Sequence, residues 1–180
     1  PIRLEKPREY LNFLRHDGVI ADPNERRKII QMRIKQAANS LKGEPVYDAT
    51  MLEEINCMTE YPDTVSGEFD ARFLDLPEEV LKTSLKALGN LVWLKGTNKF
   101  ICVFSARKRA GGNIAAGYTN VLRARLQDAL FYYQNDIQTG IENLLKMTTG
   151  MVWLKGLGTI HDKATRLEQF VAHFDNVDGI

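Results

Sequence analysis

The chain has little of what most catalytic chemistries use. Its 180 residues include only two cysteines and three histidines. No well-spaced ligand set emerges from His16, His161 and His173, and a metal site needs several convergent ligands. Cys57 and Cys102 lie far apart in apolar surroundings, which predicts buried free thiols in a reducing compartment rather than a disulfide. Twenty-four Lys and Arg against 23 Asp and Glu leave a net charge of +1. No global field marks a polyanion binder, so any nucleic-acid contact has to come from a local basic patch. No apolar run approaches the roughly 20 residues of a membrane helix, and no signal-peptide core opens the chain. A phosphate loop, a G-x-S-x-G elbow and an adenylate-forming signature are all missing.

What is present is the composition of a soluble globular protein, 44% hydrophobic and 26% charged. The length suits one domain with a real core, or a domain with a helical extension. A short helix is predicted over Pro7 to Arg15, with Tyr10, Leu11 and Leu14 on one face. Asp22 and Pro23 read as cap and first residue of a second helix, which should run to Lys42 and stop at Gly43. Its stripe is Ile29, Ile30, Ile34, Ala37, Ala38 and Leu41. Asp48 should cap a third helix ending at Met58. Thr64 to Phe69 reads as a strand, and Pro77 opens a helix to about Leu88.

Two apolar runs, Leu91 to Leu94 and Phe100 to Phe104, flank Lys95-Gly96-Thr97-Asn98 and predict a hairpin. Residues 105 to 117 read as a glycine-rich loop. A long helix is expected from Thr119 to Asn135, a shorter one from Ile141 to Met147, a strand over Met151 to Leu154 and a last helix from Thr159 to Phe174. The fold class is therefore α+β: helices packed with a small antiparallel sheet, helical at both ends. The expected division is a helical part at 1–58, an α+β core at 59–156 and the start of a following helical domain at 157–180. One pentapeptide occurs twice, as Val92-Trp93-Leu94-Lys95-Gly96 and Val152-Trp153-Leu154-Lys155-Gly156. It suggests two strands ending in the same kind of turn.

Arg107, Lys108 and Arg109, followed by Gly111 and Gly112, are the densest basic cluster. Cationic side chains and close backbone approach suit phosphate contact, and a solvated turn is the competing reading. Arg123 and Arg125 are two apart on a helix and point in different directions. Phe131, Tyr132 and Tyr133 include base-stacking types. Their company of Val121, Leu122, Leu126 and Leu130 makes Phe131 and one tyrosine expected core residues. His161-Asp162 invites a metal phosphohydrolase reading. The weightier reading puts Asp162 and Lys163 in a first helical turn and leaves His161 incidental, because the ligand count is too low.

Two segments pair aromatic and charged residues in an order that chance rarely produces: Glu60-Tyr61-Pro62 with Gly67 to Leu81, and Val121 to Asp136. A third is Leu157 to Lys163. In order and spacing the chain resembles the beta subunit of the bacterial two-subunit glycyl-tRNA synthetase, from about Arg8 to Phe174. The family carries E-[WY]-P, G-x-F-D-x-x-F-L-x-L-P-x-E-V-L, V-L-R-A-R-L-x-D-A-x-F-[FY]-[FY]-x-x-D and L-G-T-[LI]-x-D-K. The resemblance implies a role in tRNA binding and subunit architecture, with the alpha subunit and tRNA as partners and a cytoplasmic location. It assigns ATP and magnesium to the catalytic alpha subunit, leaving no cofactor and no catalytic residue here. Arg107, Lys108, Arg109 and Arg123 are the candidate RNA contacts.

The chain departs from the family pattern in three places. M-K-x-H-Q-K-Y-F-P-V is replaced by Leu85 to Leu94, with Leu88, Gly89 and Asn90 where His, Gln and Lys stand. G-N-E becomes Gly117-Tyr118-Thr119, and F-Q-x-x-L-G-T becomes Trp153 to Thr159. Two readings follow: an internal domain of the beta subunit, or a free-standing diverged paralogue acting in RNA binding or protein assembly.

Overall fold

A computed structural model describes residues 6–105 and 111–174. The chain forms two compact units, Pro1–Leu130 and Phe131–Ile180. In the first, a turn of 3-10 helix at Pro7–Glu9 leads into α1 (Tyr10–His16), followed by α2 (Pro23–Leu41), β1 (Pro45–Val46) and α3 (Ala49–Met58). Then come β2 (Pro62–Glu68), a 3-10 segment at Ala71–Asp75, α4 (Glu78–Lys86), β3 (Leu91–Leu94), β4 (Lys99–Ser105) and the long α5 (Gly111–Thr139), whose residues from Phe131 on belong to the second unit. This is an α+β fold with a small antiparallel sheet and helices at both ends.

The sheet order is β1-β3-β4-β2, antiparallel throughout. Both of its faces are covered, so β3 and β4 show continuous burial rather than alternation. Val92, Leu94, Ile101 and Val103 meet Ile30, Ile34 and Ala38 of α2 and Met51, Leu52 and Ile55 of α3. Their neighbours Leu91, Trp93, Phe100 and Cys102 point to the opposite face, where α4 packs on β3.

Capping chemistry explains the starts of α2 and α3. Asp22 accepts from the N–H of Asn24 at 2.8 Å, and Asp48 from that of Met51 at 2.7 Å. The α2 stop differs from expectation. Lys42, not Gly43, takes the left-handed conformation, with φ 55°. Gly43 is needed for another reason: a Cβ there would stand 2.9 Å from Cδ1 of Leu94.

Three further expectations are corrected. Residues 111–117 belong to α5 rather than to a loop: Ala115 and Ala116 are strong helix formers, and each glycine costs only about 1 kcal/mol. Cys57 is exposed, because α3 turns Met51, Leu52, Ile55 and Asn56 inward and leaves it on the outer face. Cys102 is a buried free thiol, as expected, and burial pushes it up to about 12. Leu74 is exposed on the 3-10 segment, while Phe69, Phe73, Leu76 and Leu81 around it are buried. Phe131 and Tyr132 are exposed and stack edge to face at 5.5 Å, so neither is core, whereas Leu122 and Leu126 are fully buried.

The second unit takes in α6 (Ile141–Met147), a 3-10 turn at Thr148–Gly150, the short hairpin of β5 (Val152–Leu154) and β6 (Gly158–Thr159), and α7 (Ile160–Phe174). The repeated pentapeptide is one device used twice. Thr97 N–H donates to the Leu94 carbonyl at 3.1 Å, and Leu157 N–H to that of Leu154 at 2.9 Å. Gly96 and Gly156 hold φ of 68° and 87° within those turns. The first copy is buried in the four-stranded sheet and the second is exposed.

Candidate nucleic-acid interface

The two segments that carry the family resemblance meet in the first unit. Gly67 lies in β2 directly opposite Phe100 of β4, and only a glycine leaves room for that ring. Two residues after the strand, Asp70 accepts from the Arg72 N–H at 3.0 Å and starts the 3-10 segment that buries Phe73. The Arg72 guanidinium lies 4.8 Å from the centroid of the Phe73 ring and pairs with Asp70 at 3.3 Å. Its other arm donates to Oε1 of Gln127 on α5 at 2.5 Å. Thr119 Oγ1 donates to the Glu68 carbonyl at 3.4 Å. The motifs are thus framework: they fix α5 against the sheet.

Arg107, Lys108 and Arg109 lie outside the described residues. The segment that holds them joins Ser105 at the end of β4 to Gly111 at the start of α5. Arg123 is exposed on α5 and donates to Asn120 Oδ1 at 3.0 Å. Arg125 is exposed as well. Several other cations are spent on carboxylates. Arg15 pairs with Glu25 and Arg27 with Glu53, and Lys82 pairs with Glu78 at 2.6 Å. Arg26 clamps backbone carbonyls, with Nε donating to Asn56 at 2.9 Å and Nη1 to Ile20 at 2.6 Å. Among the described residues neither Arg123 nor Arg125 is joined to a carboxylate, so α5 offers their charge to solvent.

Sequence reasoning missed a small polar cluster nearer the N-terminus of the same helix. Asn90 Nδ2 donates to Tyr118 Oη at 2.6 Å and to the Val103 carbonyl at 2.9 Å. Burial raises the Tyr118 phenol, and the neighbouring Cys102 thiol adds to the rise. Asn90 and Tyr118 belong to two of the stretches that depart from the family pattern. The signal was therefore visible as two separate differences, but only the fold brings them together.

His161 and Asp162 sit at the start of α7. Thr159 N–H donates to Asp162 Oδ2 at 2.7 Å, and Asp162 N–H donates to Thr159 Oγ1 at 3.1 Å, a reciprocal capping box. The Asp162 carboxylate is therefore committed to the helix start. Among the described residues no group of three His, Cys, Asp or Glu side chains converges as a metal site. Nor is any described helix long and apolar enough to cross a membrane.

Comparison with known proteins agrees with this arrangement. The family described as "Glycyl-tRNA synthetase beta subunit" matches residues 1–177. The glycine–tRNA ligase beta subunit of Coxiella burnetii (strain Dugway 5J108-111) is 38% identical over 186 residues, covering 98% of this chain and 27% of that protein. That of Dictyoglomus turgidum is 33% identical, covering 98% and 26%. That of Clostridioides difficile is 34% identical, covering 95% and 25%. The chain thus spans about a quarter of the length of these relatives. With the match running across both motif segments, this chain belongs to the glycyl-tRNA synthetase beta subunit family.

Proposed function

We propose that this chain is an internal domain of the beta subunit of glycine–tRNA ligase, contributing to tRNA binding and subunit architecture for ATP-dependent glycylation of tRNA. The chemistry belongs to the alpha subunit, which uses ATP and magnesium, and the setting is the cytoplasm. The observation that carries the reading is the match over residues 1–177, supported by the motif residues Gly67, Asp70, Arg72 and Gln127 acting as framework. The domain presents tRNA with the basic segment Arg107 to Arg109 and with Arg123, which is exposed on α5.

The test is to graft residues 1–177 in place of the matching part of the Coxiella burnetii beta subunit and to assay glycylation with its alpha subunit. The expected result is an active enzyme, with the isolated chain showing no glycine-dependent ATP–pyrophosphate exchange. Exchange by the isolated chain would overturn the division of labour.

The cluster of Asn90 and Tyr118 favours a second reading, a free-standing diverged paralogue that binds RNA or mediates assembly. Under it the graft folds but supports no glycylation.

A further inference from the structure

A cleft of about 360 Å³ opens beside β1, between α3, α4 and β3. Tyr47, Met51, Leu85 and Trp93 form most of its apolar wall. Trp93 itself is buried, with its indole N–H donated to the Thr97 carbonyl at 2.6 Å, so the ring is fixed. Lys82 and Lys86, one turn apart on α4, and Asp48 supply the charge. Lys86 is held by Asp48 at 3.3 Å, and Asp48 also caps α3. Among the described residues Lys82 is paired with Glu78, which does not line the cleft. That pair is half exposed, and such exposed pairs are readily exchanged. The wall therefore carries one cation in surplus over its carboxylate.

We propose that this cleft binds a small organic anion, with a flat apolar ring against Trp93 and Met51 and a carboxylate or phosphate at Lys82. The volume lies at the lower end of the range for small-molecule sites, and the mix of apolar wall and few charges is theirs too. Met51 adds an adaptable side chain that lies well against rings. A nucleobase fits less well, because its edge donors and acceptors would face a wall with few polar atoms. The inference is independent of the tRNA reading, which uses other residues.

The test uses 1-naphthyl phosphate and 1-naphthoate as probes of the two anionic groups. The chain has two tryptophans, so Trp153→Phe leaves Trp93 as the sole indole reporter. Both probes are expected to change its emission saturably. Lys82→Gln should weaken both by about tenfold, the loss of one charge-assisted hydrogen bond. Neutral 1-naphthylmethanol should bind less well than the anions and be indifferent to that change. Adenosine monophosphate should bind far more weakly than naphthyl phosphate. Circular dichroism of Lys82→Gln serves as the control for folding. No saturable change at millimolar probe, equal binding of the neutral alcohol, equal binding of the nucleotide, or an unchanged affinity in Lys82→Gln would each overturn the proposal.

Discussion

Gly67 and Phe100 stand directly opposite each other on β2 and β4, and the ring of Phe100 occupies the place where a side chain at 67 would begin. A Cβ on Gly67 would lie 2.9 Å from Cε1 of that ring and closer still to Cζ. Phe100 is fully buried, so its ring has nowhere to go. Gly67→Ala is expected to destabilise the first unit by about 1–3 kcal/mol, the usual cost of overpacking. Urea denaturation gives the value. Adding Phe100→Leu should recover part of the loss relative to Phe100→Leu alone. A Gly67→Ala variant as stable as the parent would place the ring elsewhere.

The second prediction separates two neighbours in the same motif. Phe73 is fully buried, whereas Leu74 is 37% exposed. Phe73→Ala should cost about 3–5 kcal/mol, and Leu74→Ala well under half of that. Thermal unfolding of the two variants checks the ordering. Equal shifts, or a larger shift for Leu74→Ala, would contradict this account of the 3-10 segment.

Local chemistry made much of this fold legible in advance. The start and end of α3 follow from Asp48 as cap and from the apolar spacing behind it, and the hairpin of β3 and β4 from two apolar runs around Lys95-Gly96. What depended on distant contacts was not legible. Gly43 reads as a helix stop, and the stretch with Gly111 and Gly112 reads as a loop. The first makes room for Leu94, while the second opens α5. The two Val-Trp-Leu-Lys-Gly copies make the same turn, yet burial depends on whether other strands pair beside them, and nothing in five residues encodes that. Of the candidate site, the helix that carries Arg123 was legible in its apolar spacing, but the exposure of both Arg123 and Arg125 was not. The meeting of Asn90 with Tyr118 required the sheet.

The start of α7 should respond to acid. The Thr159 N–H, joined by the Thr159 hydroxyl, holds the Asp162 carboxyl below the usual carboxylate range. A depressed folded value means the contribution is fully present above the unfolded carboxylate range, about pH 4. It is lost as pH falls through the lower folded value. Amide exchange in the first turn of α7, normalised for intrinsic rate, should therefore be flat from about pH 7 to pH 5 and lose protection below about pH 4. In Asp162→Asn the acid-dependent part should vanish. A profile that keeps it would assign the effect to another group.

The last prediction concerns RNA. If Arg107, Lys108 and Arg109 carry the contact, binding is electrostatic, because a short basic segment follows phosphates and offers little base-edge geometry. Affinity should fall with salt along a slope that reflects about two to three released counterions. Arg123 is exposed on the helix that follows, so Arg123→Ala should lower affinity modestly and reduce the slope by less than the triple change to alanine. The triple variant should flatten the slope and weaken unrelated tRNAs alike. The measurement is a salt titration of binding with two unrelated tRNAs, comparing parent, Arg123→Ala and the triple variant. An unchanged slope in the triple variant would mean that the contact lies on another surface. A preference for one tRNA that survives the change would mean that base edges or tRNA shape are read elsewhere in the domain.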